Sequence, residues 1–296
     1  MARKSGLKHN AHHSETARAC LARLRSVAPA LHPAEKRVAD YLLQNASAIV
    51  GLSITELADQ CAVSEATIVR LCQGLGYRGY QELRLILSND SGVAASDIHE
   101  EVVPEDTTTE LVRKVFNSSG QALQDTLAVL DYDEFDRAVE AVARASSVYF
   151  YGVGGSGAIA FDAAHKFLKI GMLAVAHNDP HLQAMSASVM KRGSVAVGIS
   201  HTGTTVDTIH ALTQARESGA TTICITSYSR SPITQVADIK LVTASRASSL
   251  RGEAILARLV ELALLDALYV AVSLRRYDKT LESIRRTSQA VAGKRL

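Results

Sequence analysis

Residues 53–80, SITELADQCAVSEATIVRLCQGLGYRGY, read as two short helices joined by a tight turn. Ser53 and Glu56 form a capping box, in which each side chain satisfies a backbone N–H orphaned at a helix start, so a helix begins near Ile54. Leu57, Ala58 and Cys61 share one face of it, Val63 sits in the turn, and Ile68 and Leu71 return three residues apart on the second helix. Ala58 is small enough for a close helix crossing, Ser64 is placed as N-cap of the second helix, and Gly74 and Gly76 end it. Ala62 stands at the turn position where glycine is common, and a left-handed backbone there costs roughly 1 kcal/mol. A helix-turn-helix of this kind lays the N-terminal part of its second helix in the major groove of double-stranded DNA. Ser64, Glu65, Ala66, Thr67 and Arg70 are therefore the candidate DNA contacts, with Arg70 the base reader through a bidentate grip on guanine. Ser64 and Thr67 are expected to hold phosphates, and Tyr77, Arg78 and Tyr80 to touch the DNA backbone beyond the helix.

Upstream, Leu31, Ala34, Val38, Tyr41, Leu42 and Ile49 give a helix after Pro33 and an apolar return, completing an all-α domain over residues 15–90. The chain has 296 residues, 47% hydrophobic and 21% charged, which is ordinary for a folded protein and long enough for two domains. Residues 1–90 carry 11 Lys/Arg against 8 Asp/Glu, while the remainder carries 21 against 22, so the positive charge that phosphate contacts need lies in the first part. No apolar run reaches the length of a membrane span, and the basic start MARKSGLKHN has no apolar core behind it, so neither a signal peptide nor an anchor is expected. A cytoplasmic protein with a loose basic arm is the expectation. Cys20, Cys61, Cys72 and Cys224 show no C-x-x-C spacing, which favours buried thiols over a metal site or disulfides.

From Asn89 to Thr109 the chain turns polar and acidic, and residues 91–108 are the expected linker. Helical periodicity starts near Thr109 and runs through Leu111, Val115, Leu123, Leu127 and Leu130, with a second helix from Asp133 to Arg144. Short apolar runs at Ser147–Tyr151, Leu173–Ala176, Val195–Ile199, Thr221–Ile225 and Ile239–Val242 then alternate with helical segments. This rhythm predicts an α/β domain over residues 109–290, a doubly wound parallel sheet with its ligand crevice at the C-terminal ends of the strands.

Two strand ends carry unusual loops. Gly152-Val-Gly-Gly-Ser-Gly157 lets backbone amides approach an anion at a helix N-terminus. It is superficially like a dinucleotide fingerprint, but the next strand offers His177 where a ribose-binding acid is needed, so no nucleotide cofactor is expected. The second loop, Ser200-His-Thr-Gly-Thr-Thr205, sets four hydroxyl groups and the next helix's N-terminal amides into a neutral cradle. It lacks a P-loop lysine or a metal motif and suits a phosphomonoester better than a nucleoside triphosphate. A hydroxyl-rich turn that merely caps its helix is the alternative.

With these residues in view the chain resembles the RpiR family of bacterial regulators. The resemblance lies in Glu35-Lys-Arg-Val-Ala-Asp-Tyr41, Ser53-Ile-Thr-Glu-Leu-Ala58, Val63-Ser-Glu-Ala-Thr-Ile-Val-Arg70 and Leu75-Gly-Tyr-Arg-Gly-Tyr-Gln81, and the second domain is similar to the sugar isomerase (SIS) domain of those regulators. The match spans roughly residues 20–275. It implies a transcription factor, with repression the expected sense, whose SIS domain binds a phosphosugar and forms a homodimer or homotetramer. By position, Gly154 and Ser156 would contact the sugar, and Ser200, Thr202, Gly203 and Thr205 the phosphate. Thr202 stands where serine is usual, Asp207 where glutamate is frequent, and Ser245-Arg-Ala-Ser248 lacks a glutamate often found there.

A phosphosugar isomerase is the competing reading, since the same kind of domain occurs in enzymes. Such chemistry needs a base beside a carbonyl, and Glu253, His181 and His201 are the residues that could supply it. None lies in a recognisable catalytic motif, and an isomerase has no use for a DNA reader. The helix Glu253–Arg275 is apolar around much of its girth, which suits core packing and also a dimer interface.

Overall fold

The computed structural model describes residues 17–46, 49, 52–88, 102–244 and 253–294. The basic arm, residues 91–101 of the expected linker and the Ser245–Ser248 segment lie outside them. The chain divides into two compact units, residues 1–100 and 101–296.

The first unit is helical: α1 (Ala17–Val27), α2 (Pro33–Gln44), α3 (Ile54–Cys61), α4 (Glu65–Gly74) and α5 (Tyr80–Ser88). Leu21, Leu24, Val38, Leu42, Ile49, Leu57, Ile68, Leu71, Tyr77 and Leu83 form one core. α3 and α4 are the two helices of the motif. The capping box closes on both sides, with Glu56 N–H donating to Ser53 Oγ at 3.2 Å and Ser53 N–H to Glu56 Oε2 at 2.7 Å. Ala62 adopts the left-handed conformation at φ 51°, ψ 51°. Arg37 on α2 accounts for its tolerance: Nε donates to Cys61 O at 3.1 Å and Nη2 to Ala62 O at 3.0 Å, satisfying carbonyls orphaned at the end of α3.

The second unit opens with α6 (Thr108–Val129), started by a Thr107–Glu110 capping box, and α7 (Tyr132–Arg144), whose N-cap Asp131 accepts from Asp133 and Glu134 N–H. There follow β1 (Ser147–Tyr151), α8 (Gly155–Lys169), β2 (Ala174–His177), α9 (Pro180–Ser188), β3 (Ser194–Ile199), α10 (Val206–Glu217), β4 (Thr221–Thr226), α11 (Pro232–Val236), β5 (Ile239–Val242), α12 (Glu253–Arg275) and α13 (Tyr277–Ala292). All five strands are parallel in the order β2-β1-β3-β4-β5. β2 lies one residue later than its apolar run suggests; Leu173 is 61% exposed, though its carbonyl still accepts from Val148 N–H at 2.8 Å.

Alternation along the strands divides the core. Val148, Phe150, Val195 and Val197 pack with α7, α8 and α12 on one face, whereas Tyr151, Ala196 and Cys224 pack with α9, α10 and α11 on the other. The connection leaving β1 therefore runs over one face and that leaving β3 over the opposite face. Because β1 and β3 are neighbours, paired Tyr151 to Gly198 at their ends, the two departing helices diverge and open a crevice between them.

Candidate functional site

In the helical unit, α4 presents Ser64, Glu65, Ala66, Arg70 and Gln73 to the outside, with Val69 half-buried. Gln73 shares the outward face of Ala66 and Arg70 but lies beyond the N-terminal part of the helix to which the helix-turn-helix pattern points. Ser64 is the N-cap, yet its hydroxyl makes no cap bond; it lies 3.0 Å from Thr67 Oγ1. Thr67 is buried and also accepts from Arg70 Nη2 at 3.2 Å, so its hydroxyl steadies the Arg70 guanidinium and is turned away from the surface where a phosphate would lie. Glu65 Oε1 accepts from Thr55 Oγ1 at 2.7 Å and ties the two helices together.

Tyr77 and Tyr80 require a larger correction. They are 2% and 3% exposed, with Arg23 Cζ 5.6 Å from the Tyr77 ring centroid and Tyr80 O–H donating to Leu52 O at 3.0 Å. A unit this small closes its core with large rings, and these two are core residues that do not face DNA. Arg78 between them stays exposed, its backbone N–H fixed on Glu82 Oε2 at 2.6 Å.

In the sheet unit, both expected loops stand at the crevice. The hydroxyl loop holds itself in shape: Ser200 Oγ and Thr205 Oγ1 share a bond at 3.0 Å, Thr202 Oγ1 and Thr204 Oγ1 one at 2.7 Å, and Gly203 N–H donates to Ser200 O at 3.0 Å. Gly203 has φ 64°, and a Cβ there would overlap Ser231 Oγ and stand 2.6 Å from Ser231 Cβ, so no other residue fits. Thr205 is the N-cap of α10 but makes no cap bond, because its hydroxyl turns to Ser200; the first-turn amides carry no side-chain cap. Thr208 in that same turn is fully buried, and its hydroxyl has no partner among the described residues. Asp207 is exposed beside it. Positive helix end, uncapped amides and hydroxyls together favour an anion.

His201 is anchored away from the hydroxyls, with Nδ1 2.9 Å from Ser227 Oγ, which is in turn 3.0 Å from Thr243 Oγ1. His181 is exposed on α9, and the Glu253 side chain lies outside the described residues. The glycine loop is the second arm. Gly154 is the N-cap of α8 at φ 59°, with no side chain to cap, and Ser156 lies half-buried in the first turn. Beneath the loop, Gln183 Nε2 donates to Gly152 O and His177 O, both at 3.0 Å, pinning the ends of β1 and β2. Burial holds the His177 imidazole below its ordinary value against the opposing charge of Asp179, and pushes the Tyr151 hydroxyl up to about 12.

The thiols are buried, and those of Cys72 and Cys224 are pushed up to about 12 by desolvation, which makes them inert. Among the described residues no three His, Cys, Asp or Glu side chains converge on a metal position, and no helix is long and apolar enough to cross a membrane. A groove of about 690 Å³ between α8 and α13, lined by residues including His165, Leu168, Thr287 and Val291, lies at the opposite end of α8 from the loops. It brings no helix N-terminus to bear on a ligand, whereas the crevice brings two.

Comparison with known proteins identifies both domains. Residues 18–92 match the helix-turn-helix domain of the rpiR family and residues 141–271 the SIS domain. An uncharacterized HTH-type transcriptional regulator of Caldanaerobacter subterraneus subsp. tengcongensis is 35% identical over 93% of this chain and 98% of its own. The HTH-type transcriptional regulator RpiR of Escherichia coli K12 is 32% identical over 87% of each. The Vibrio vulnificus NanR protein, solved in complex with ManNAc-6P, aligns with a TM-score of 0.60 at 30% identity, covering 94% of this chain and 100% of that one. The α4 reading helix and the SIS sheet thus occur in one chain in the family's order, and the protein belongs to the RpiR family of HTH-type transcriptional regulators.

Proposed function

We propose that this regulator responds to a phosphosugar held in the crevice between β1 and β3, and that it represses transcription from its operator in the cytoplasm without catalysing a reaction. The observation that carries the reading is the hydroxyl loop, in which Thr205 turns from the α10 amides to Ser200 and leaves an uncapped helix N-terminus among hydroxyls. The ManNAc-6P bound by NanR supports the ligand class. Ser200, Thr202, Gly203 and Thr205 hold the phosphate, Gly154 and Ser156 approach the sugar, and Ser64, Ala66, Arg70 and Arg78 meet DNA. The functional divisions are residues 15–90, a linker over 91–108, and 109–290. The chain acts as a homodimer or homotetramer, since a helix-turn-helix reads symmetric half-sites. A ligand shifts such a protein only by binding its two arrangements with different affinity.

The isomerase reading is weaker because His201 is anchored through Nδ1 on Ser227 and His181 is exposed, which leaves neither imidazole as a fixed base beside the crevice. The test is a gel shift on operator fragments with a panel of sugar phosphates, paired with thermal shift of wild type and of S200A/T205A. We expect one phosphate to raise the melting temperature and alter the DNA shift, and the double variant to lose both effects. An unaltered thermal shift in the double variant removes the hydroxyl loop from the proposal.

A further inference from the structure

Two helices of the sheet unit carry apolar stripes that no described residue covers. α12 turns Leu264, Leu265, Leu268 and Val272 into the core, and on its opposite side Leu259, Ala263, Ala267, Val270 and Leu274 are exposed, Leu274 at 65%. α6 touches α12, and its buried residues, Ala122, Asp125 and Thr126, all lie in its C-terminal half. Facing away from them are Val112, Phe116, Gly120, Leu123 and Leu127; Leu123 is half-buried and the others are exposed, Phe116 at 74%.

The two stripes match each other. Each steps by four, four, three and four residues, and each has a small residue at its middle position, Gly120 on α6 and Ala267 on α12. Nothing within its own chain calls for Gly120: a Cβ built on it meets no atom within 4 Å, and glycine weakens a helix interior relative to alanine. A second helix crossing at close range makes use of it, because the separation of packed helices is set by the side chains at their contact. Charge is sparse as well. Between Val112 and Leu127 the charged residues are Arg113, Lys114 and Asp125; Asp125 is buried and Lys114 pairs with Asp106. Between Leu259 and Leu274 they are Glu261, which is buried, and Asp266, which pairs with Lys166. A helix face bathed in water carries charges along its length, whereas depletion of charge marks the centre of an interface.

A second copy of the chain is the occupant that fits both stripes at once. The α6 stripe cannot meet the α12 stripe of its own chain, because the opposite side of α6 is the one seated on the body. A two-fold axis sets α6 of one protomer on α12 of its partner and repeats the contact in reverse, so that both stripes are covered and the contact closes on itself. We infer that the protein associates through this exchange, with the α6 stripe of each protomer packed on the α12 stripe of its partner and Gly120 and Ala267 at the closest approach. The inference rests on the homo-oligomer reading and assigns it a surface.

The experiment is sedimentation velocity of the full-length protein over a concentration series. F116D and V270D are each expected to fall to half the wild-type mass, with the dissociation constant raised at least about 30-fold. Both positions are exposed, so circular dichroism and thermal melting should match wild type; V112D and L274D, on the same two stripes, take the place of a variant that melts early. Mixing the F116D chain with the V270D chain leaves one α6–α12 contact of the pair entirely native. The mixture is therefore expected to regain the wild-type mass at concentrations where neither variant does so alone. Retention of the wild-type mass by either variant, or a mixture that fails to regain it, overturns the α6–α12 exchange and leaves the homo-oligomer reading standing. A wild type that sediments as a monomer, with and without operator DNA, overturns the reading beneath it.

Discussion

Ala62 at φ 51° is the one non-glycine residue with positive φ among those described, and Arg37 holds the carbonyls on either side of its Cα. Replacing it with glycine removes the Cβ strain, so A62G is expected to raise the urea midpoint of the helical unit by the equivalent of about 0.5–1 kcal/mol. A lowered midpoint would mean that the alanine methyl contributes packing that outweighs its strain. Arg70 and Arg78 separate two modes of DNA contact. R70A should cost roughly 1–3 kcal/mol on the preferred operator and relax its sequence preference, whereas R78A should weaken all sequences alike and reduce the salt slope by about 1. Binding titrations over a salt series on preferred and scrambled fragments distinguish them. The neighbouring tyrosines show the limit of reading exposure from sequence: Tyr-Arg-Gly-Tyr looks like a polar loop tip, yet both rings fill the core. A ring in a polar stretch does not reveal its direction until the helices beside it are placed.

At the scale of elements, helix boundaries were the most legible feature. The Ser53–Glu56 box, the start of α10 at Val206 and the span of α12 lie where caps and periodicity put them. α13 carries little sequence signal because its exposed, strongly polar surface buries little; Thr280 is its one buried residue. α12 behaves differently, with Leu264, Leu265, Leu268 and Val272 in the core and Glu261 buried among them at 1% exposure. A carboxyl raised to about 8 by burial binds its proton more tightly folded than unfolded. The folded state is therefore favoured fully below the ordinary carboxylate range, and that advantage is lost as pH climbs toward 8. The stability gain of E261Q over wild type should thus grow by about 1.4 kcal/mol per pH unit between pH 5 and 8 and then level off. Urea midpoints at several pH values measure it, and a gain that does not change with pH would mean that Glu261 is ionised throughout.

At the scale of the whole molecule, the function proposed is a coupling between a metabolite site and a DNA site, and coupling of binding energies is reciprocal. If the effector lowers operator affinity by some factor, saturating operator must lower effector affinity by the same factor, of order 5–150. Titrating the effector with and without operator DNA tests this, and unequal factors would show that the two ligands do not share one two-state equilibrium. The sequence by itself determined the two-domain order, the helix-turn-helix and the parallel α/β sheet, because caps, glycines and the 3.6- and 2-residue periods act over a few residues. It also located both loops, since glycine and hydroxyl clusters at strand ends are local signals. Only the tertiary structure decided that these loops share the β1–β3 crevice, that Arg258 lies on Gly155 and Gln183 beneath Gly152, and that Tyr77 and Tyr80 turn inward. Those contacts join residues far apart in the chain, and they are set by strand order and by the face over which each helix returns.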